Sequence, residues 1–347
     1  MKNFKQKYEF LLRDIEIEEV EKMLQCKDKS KGFWTCYCKN CDTYHKIYLG
    51  CNSRLCTNCG KRYSDKWIDK ILKNTYKVPH KHVIFTIPPL LWKQLKQDRK
   101  SCKVLMDASK KVMDYFFTLT TKNTNPGLIL ILHTFGRDLN FKPHVHGIIT
   151  KGGFTKGKFK EWNNQLNQSK LRKVWMWTIC TELKKYFPKT EHYQNIFSLI
   201  WDKYRKKGFT LIICSETLYN KRQLASYVVR YVRHPAIANT RIHFFDNKVI
   251  AFHYICQKTN KRIDKVMKIE EFMFALLQHI PERQFKMIRY YGVYARRSKK
   301  LKISYKSIKE YSTNNLIFKC PNCGKKLKKL IFIKKEPPPI KQLIFVK

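Results

Sequence analysis

Seven of the chain's thirteen cysteines fall between Cys26 and Cys59, and four of them form two Cys-x-x-Cys pairs, Cys38/Cys41 and Cys56/Cys59, with 14 residues between the pairs. A chain that closes thiolates around a metal must fold so that its ligands meet, which constrains this region more tightly than any residue propensity. Two such pairs predict a zinc ribbon, each pair on a tight knuckle and a hairpin bringing the knuckles together into a tetrahedron. The intervening stretch Asp42–Leu55 alternates well enough for a short strand, with Gly50 and Asn52 as turn residues. Cys38, Cys41, Cys56 and Cys59 are therefore the expected ligands of a structural Zn2+, with Cys36, Cys51 and His45 as spare donors. A further pair, Cys320 and Cys323 in Cys-Pro-Asn-Cys-Gly, cannot satisfy zinc alone. It borrows donors from elsewhere in the chain or from another subunit, or it is vestigial. Arg54, with Lys61 and Arg62 around the second knuckle, makes a finger that faces nucleic acid a candidate beside a purely structural one.

Charge supplies the partner class. Across 347 residues, Lys and Arg number 72 against 26 Asp and Glu, a formal net charge of +46. Such a chain repels itself unless a polyanion is near, and nucleic acid is the commonest. With 43% apolar and 14% aromatic residues it can bury a core, which excludes a disordered basic tail. No apolar stretch approaches the ~18 residues of a membrane span, and the N-terminus lacks a signal peptide's apolar run. The expectation is a cytoplasmic, nucleoid-associated protein with no membrane partner. Three regions are expected: a zinc-binding domain over 1–75, a central domain over 76–295 and a basic C-terminal region over 296–347.

The central region predicts a helix from Tyr63 to about Lys73, a strand from His82 that Pro88 stops, and a helical stretch from about Leu90 to Thr120. Two strands joined by a turn-rich loop follow, Leu128–Phe135 and His144–Thr150. Residues two apart on a strand share a face, so His144 and His146 present both imidazoles together, while Val145, with Ile148 expected on its own face, can bury. That geometry suits one divalent ion, although an isolated His-x-His also describes two ordinary half-buried histidines. If Phe135 pairs opposite His144, His133 sits opposite His146 and offers a third ligand. A one-residue slip would turn it away.

Lys221–Pro235 reads as a helix that Pro235 ends, with Tyr227 and Tyr231 four apart on one face and Arg222, Arg230 and Arg233 available to phosphate. The same spacing describes an aromatic stripe packed on a sheet, and Tyr44/Tyr48 and Tyr290/Tyr294 share it. A metal-ready histidine strand followed by a basic helix with paired tyrosines is, however, what DNA nicking by tyrosine requires. A phenol of pKa ~10 is a weak nucleophile at neutral pH. A cation that polarises the scissile phosphate offsets that weakness and the anion's repulsion.

In ordered motifs the chain resembles the two-tyrosine, HUH-type rolling-circle transposases of bacterial insertion sequences. The resemblance runs from about residue 33 to 325 and rests on Cys51–Cys59, Leu132–Phe154, Ala225–Ile242, Gln278–Arg297 and Cys320–Gly324. It implies an α+β fold: an HUH nuclease-like central antiparallel sheet with flanking helices, preceded by a small zinc-ribbon domain. It implies His144 and His146 as ligands of Mg2+ or Mn2+, with His133 the first choice of third ligand and Gln223 the second. It implies Tyr227 and Tyr231 as nucleophiles acting on single-stranded DNA at element ends, and Cys38, Cys41, Cys56 and Cys59 as Zn2+ ligands. Two departures from the family pattern are Lys142, where a histidine precedes the proline, and Gly147, where a cysteine stands. A plasmid or phage replication initiator of the same chemistry and a non-catalytic zinc-finger nucleic-acid-binding protein are the rival readings.

Overall fold

The computed structural model describes residues 2–121, 123–162, 167–220, 223–224, 236–256, 259–295 and 320–333. The chain divides into two compact units, Met1–Arg62 with Tyr311–Lys347, and Tyr63–Glu310. The expected boundary at residue 75 therefore moves to Arg62, and of the C-terminal region expected over 296–347 the part from Tyr311 groups with the N-terminal unit instead of standing apart.

In the first unit α1 (Lys2–Tyr8) and α2 (Asp14–Leu24) precede a hairpin of β1 (Phe33–Cys38) and β2 (Thr43–Tyr48). The last strand of the described chain, β12 (Lys328–Ile333), pairs antiparallel with the other edge of β1, giving the order β12-β1-β2. Glu19 of α2 ties the following loop down. Its Oε2 accepts from the Arg54 amide at 2.6 Å and its carbonyl accepts from Ser53 Oγ at 2.8 Å. Burial would raise the Glu19 carboxyl pKa, but the Arg54 amide and the Lys22 ammonium hold it below its ordinary value. Helix α3 (Thr57–Asn74) begins here, six residues before the expected Tyr63 start.

The second unit is built on a six-stranded antiparallel sheet of order β11-β4-β5-β3-β7, with β6 on β5. Its strands are β3 (His80–Thr86), β4 (Asn125–Phe135), β5 (Phe141–Thr155), β6 (Lys158–Glu161), β7 (Leu211–Leu218) and β11 (Ile288–Gly292). The expected long helix after Pro88 is two, α4 (Pro89–Gln97) and α5 (Cys102–Thr120). Asp98 breaks it by turning extended and accepting the Lys100 amide at 3.0 Å on Oδ1. Helices α6 (Gln168–Tyr186) and α7 (Glu191–Tyr204) follow. A separate sheet comprises β8 (Ile242–Phe245), β9 (Val249–Ile255) and β10 (Arg262–Lys268), with α8 (Ile269–Leu277) after it.

The run Leu128-Ile-Leu-Ile-Leu132 is apolar throughout because both sheet faces are covered, and its alternation sorts the two residue types. Leu128, Leu130 and Leu132, with Val83, Phe85, Val145 and Ile149, pack under α5 and α6. Trp175 of α6 is fully buried there, edge-on to Phe85 at 5.1 Å, and donates Nε1–H to the Thr86 carbonyl at 2.8 Å. Ile129 and Ile131 point the other way and join Ile148, Ile68, Ile71 and Leu72 of α3, Leu224 and Tyr294. The sheet is thus an α+β core with helices on both faces, as expected. Ile148 departs from expectation, sharing the His146 face and not that of Val145.

Strand β11 closes one edge and explains its Tyr-Tyr-Gly-Val-Tyr segment. Tyr290 lies on a strand and not a helix, as do Tyr44 and Tyr48 of β2, so neither rival tyrosine pair has the helical meaning of an i,i+4 spacing. Tyr294 is buried, stacks on Tyr76 and bonds His80 Nε2 at 2.5 Å. The chain reaches it through Gly292 at φ +59°, where an added Cβ would lie 1.8 Å from the Pro126 carbonyl oxygen. Gly292→Ala is expected to cost roughly 2 kcal/mol or more in urea unfolding, the sum of a left-handed strain and a backbone clash that no side chain can relieve. A change below about 0.5 kcal/mol would contradict this role.

Candidate functional site

The β4–β5 hairpin carries three histidines on the Ile148 face. The register pairs His133 with His144 and Ile131 with His146, and a bulge between His133 and Phe135 lets Phe135 meet Phe141. The expected register, Phe135 opposite His144, is therefore off by two, and because the shift is even His133 keeps its face. Ligand nitrogens of His133, His144 and His146 all lie within 4.8 Å of one another. Ring centroids are 4.8 Å apart for His133/His146 and for His144/His146, and 5.4 Å for His133/His144.

Neighbouring groups orient two of the rings. His144 Nδ1–H donates to the Lys142 carbonyl at 2.6 Å, which leaves Nε2 as the lone-pair nitrogen. The Lys142 side chain is engaged elsewhere, its Nζ 2.7 Å from Asp138 Oδ2. A lysine at this position thus leaves its backbone carbonyl free to orient His144. Gly147 has a packing reason: an added Cβ would lie 2.4 Å from Val83 Cγ1 on the neighbouring strand.

Sequence reasoning passed over His82. It lies on β3 diagonal to His146, and the two rings stack with His82 Nε2 2.9 Å from His146 Nδ1. With Nε2 of His146 as lone pair, its Nδ1–H donates to His82 Nε2, and His82 Nδ1–H then faces Cys214 Sγ at 3.3 Å on β7. The signal was present: His80-Lys81-His82 is a second His-x-His on a strand. Burial holds His144 and His146 below the ordinary imidazole pKa. The Lys142 carbonyl partly opposes this at His144, and repulsion from His133, His144 and His82 adds to it at His146. The rings are therefore neutral, the form that binds a metal.

Gln223, the second-choice ligand, is committed elsewhere. Its Oε1 accepts from the Tyr219 and Asn220 amides at 3.0 and 3.3 Å, and its own amide donates to Asn220 Oδ1 at 2.9 Å. That reciprocal cap starts a helix, and Leu224 beside it is buried against Ile131 and Ile148 on the histidine face. Tyr227, Tyr231, Arg222, Arg230 and Arg233 lie outside the described residues. Arg54 is half-buried, and its amide holds Glu19.

The cysteines regroup. Cys38 and Cys41 meet Cys320 and Cys323, whereas Cys56 and Cys59 meet Cys26 and Cys51, each quartet with its sulfurs within 4.8 Å of one another. The expected single quartet of Cys38, Cys41, Cys56 and Cys59 is replaced by two. The physical reason is local: Cys56-x-x-Cys59 is no hairpin knuckle but the start of α3, with Thr57 its first residue and the Gly60 amide donating to the Cys56 carbonyl at 2.7 Å. Burial raises Cys59, yet the Asn52 amide and neighbouring thiols bring it net down to about 7. Cys323 is likewise held at about 7, first by the Lys325 amide. None of the thirteen cysteines forms a disulfide.

Among known proteins, residues 127–302 match the family described as "Putative transposase", and residues 1–87 match a "Transposase zinc-binding domain" of IS91 type. A "Transposase for insertion sequence element IS801" from Pseudomonas savastanoi pv. phaseolicola is 31% identical over 300 residues, 82% of this chain and 72% of that protein. This chain belongs to the IS91/IS801 transposase family. A second transposase relative, y4qJ of Sinorhizobium fredii, is 22% identical over 302 residues, 80% of this chain and 74% of that protein. No solved structure gives a significant match. The transposase acts on DNA, carries a zinc-binding domain, and has no helix among its described residues long and apolar enough to cross a membrane.

His279, from the late motif of the transposase, pins the hairpin loop. It faces Thr134 Oγ1 at 3.3 Å and donates Nε2–H to the Leu139 carbonyl at 3.0 Å. Burial, with a smaller opposing effect from that carbonyl, lowers its pKa to about 3. Folded His279 thus stays neutral while the unfolded chain takes up a proton near pH 6.5, so stability falls as pH drops from about 6.5 toward 3. His279→Gln is expected to remove about one proton, roughly 1.4 kcal/mol per pH unit, from the slope of unfolding free energy in that window. An unchanged slope would contradict the assignment.

Proposed function

We propose that the transposase nicks and rejoins single-stranded DNA at element ends in rolling-circle transposition, through a 5′-phosphotyrosine on Tyr227 or Tyr231. The observation that carries this reading is the convergence of His133, His144 and His146 on one sheet face, with Leu224, three residues before Tyr227 in sequence, buried against that face. Three imidazoles with open positions between them fit a catalytic site, and among the described residues no carboxylate joins them. This donor set is better matched to Mn2+ than to Mg2+, which prefers oxygen ligands. A divalent cation bound there supplies Lewis-acid polarisation of the scissile phosphate.

The chain's own residues carry the other steps. His133, His144 and His146 hold the cation, and the hydrogen bonds to Lys142 and His82 keep two of the rings oriented. The tyrosine oxygen, having lost its proton, attacks phosphorus and the P–O3′ bond breaks. The departing 3′ oxygen takes a proton, giving a free 3′-hydroxyl and the 5′-phosphotyrosine. Bond energy is kept in that ester, so rejoining needs no nucleotide cofactor. The second tyrosine of the pair accepts a further strand while the first adduct persists. The net charge of +46 supplies sequence-independent affinity for the phosphate backbone. Family membership favours this over a replication initiator of the same chemistry, which genomic position between element ends would separate.

With single-stranded DNA from the element ends and Mn2+, the full chain is expected to form an adduct that survives denaturing gels. The Tyr227→Phe/Tyr231→Phe double variant should form none. His144→Ala/His146→Ala should lower cleavage by about 100-fold or more while leaving most DNA binding, because Lys and Arg contacts to phosphate dominate affinity. No adduct from the wild type, or an undiminished one from the tyrosine double variant, would sink the catalytic reading.

A further inference from the structure

We propose that the zinc-binding unit of this transposase holds two zinc ions, and that the second site is closed by the chain's own C-terminal knuckle. Cys38 and Cys41 from one end and Cys320 and Cys323 from the other are its ligands. Cys26, Cys51, Cys56 and Cys59 form the first site. The matched zinc-binding domain covers residues 1–87 and so does not reach the C-terminal pair. The inference stands apart from the nuclease chemistry and rests only on these cysteines.

The distances carry it first. Four sulfurs at about 2.3 Å from a tetrahedral zinc lie about 3.8 Å from one another, that being the tetrahedron's edge. In the first quartet Cys26 Sγ is 3.6 Å from Cys56 Sγ and 3.7 Å from Cys59 Sγ. In the second, Cys38 and Cys323 are 3.6 Å apart and Cys320 and Cys41 3.9 Å apart. A disulfide would bring two sulfurs to about 2.05 Å, and chance packing would not hold each set of four within reach of one centre.

The backbone gives a second, independent argument. Lys27, Asp42, Asn52 and Gly324 have φ of +59°, +51°, +53° and +71°, and each directly follows a ligand cysteine. Three of these are non-glycine residues in a conformation that costs energy. Two fall in each quartet, after Cys26 and Cys51 and after Cys41 and Cys323. The left-handed turn curls the following amides back toward the cysteine, as the Ser53 amide shows, 3.4 Å from Cys51 Sγ. In the C-terminal knuckle the Gly324 amide donates to the Cys320 carbonyl at 2.9 Å and the Cys320 amide to the Lys325 carbonyl at 2.8 Å. Two sites of unrelated sequence spacing are thus built to one local plan.

The surroundings fit a dianionic metal–thiolate centre. His45 Nε2 lies 3.3 Å from Cys320 Sγ, and Arg62 donates to Cys59 Sγ at 3.5 Å. Cys36, Cys38, Cys320 and Leu327 share a small buried cluster, and β12 hydrogen-bonds along β1. That cluster is too small to fix a strand from nearly 300 residues away, and a metal crosslink supplies what the apolar contacts lack. Closure also gathers Lys39, Lys325, Lys326 and Lys328 around one surface groove.

The test uses the full chain, with zinc counted by native mass spectrometry and elemental analysis, and each cysteine's shielding from alkylation read by peptide mapping. The wild type is expected to carry two cysteine-bound zincs with all eight thiols shielded. Cys320→Ser/Cys323→Ser should carry one fewer zinc and expose Cys38 and Cys41, leaving Cys26, Cys51, Cys56 and Cys59 shielded. Cys323→His, which keeps a zinc donor, should retain the second ion, separating ligation from loss of packing. Unchanged zinc in the serine variant, or exposure of Cys56 and Cys59 on mutating Cys38 and Cys41 to Ser, would overturn the proposal. Wild-type protein with no zinc would overturn it together with zinc binding by the domain.

Discussion

The pairing of β4 with β5 is the constraint on which the candidate site depends. It sets His133 beside His144 and, through the same parity, brings His146 to the same face. This pairing is what brings His133 to the other two, because a bulge and a loop separate it from them in sequence. The surrounding structure keeps the register in place. The isoleucines of β4 and Ile148 of β5 must meet α3 while the leucines meet α5, so a one-residue slip would exchange the two cores. His279 and the Lys142–Asp138 pair brace the loop between the strands, and Gly147 lets β3 approach closely enough for His82 to reach His146. Function and stability therefore share one ladder of hydrogen bonds.

The face of each histidine was legible in the sequence because strand parity is local. The register was not, since it depends on a bulge between His133 and Phe135 that no residue type announces. Parity is forgiving in this case: an error of two residues left His133 on the face of His144 and His146. His82 was equally readable as part of a His-x-His, but its relevance depends on β3 lying next to β5, a fact of topology. Gln223 fell the other way, since a residue near the start of a helix is as apt to cap it as to face a metal.

The cysteines show where spacing misleads. Two Cys-x-x-Cys pairs 14 residues apart invite a single ribbon, yet one pair starts a helix and the other closes a hairpin. Their partners are single cysteines at 26 and 51 and a pair 279 residues beyond Cys41. Ligands contributed by lone residues or by the far end of the chain leave no spacing signature. The same closure gives part of the basic C-terminal region a structural account: residues 320–333 form a knuckle and a strand of the first unit, with Lys325, Lys326 and Lys328 along its surface. The high positive charge is thus partly arranged by folding, and suits a protein whose partner is a phosphate backbone.

The account stands on one claim, that His133, His144 and His146 together hold a divalent cation. Pulsed electron paramagnetic resonance of Mn2+ bound to the full chain reads imidazole nitrogens on the ion directly. Nitrogen modulation is predicted in the wild type, weakened by replacing any one of the three histidines with alanine and unaffected by Gln223→Ala. Mn2+ bound without nitrogen modulation, or modulation indifferent to all three replacements, would contradict the account.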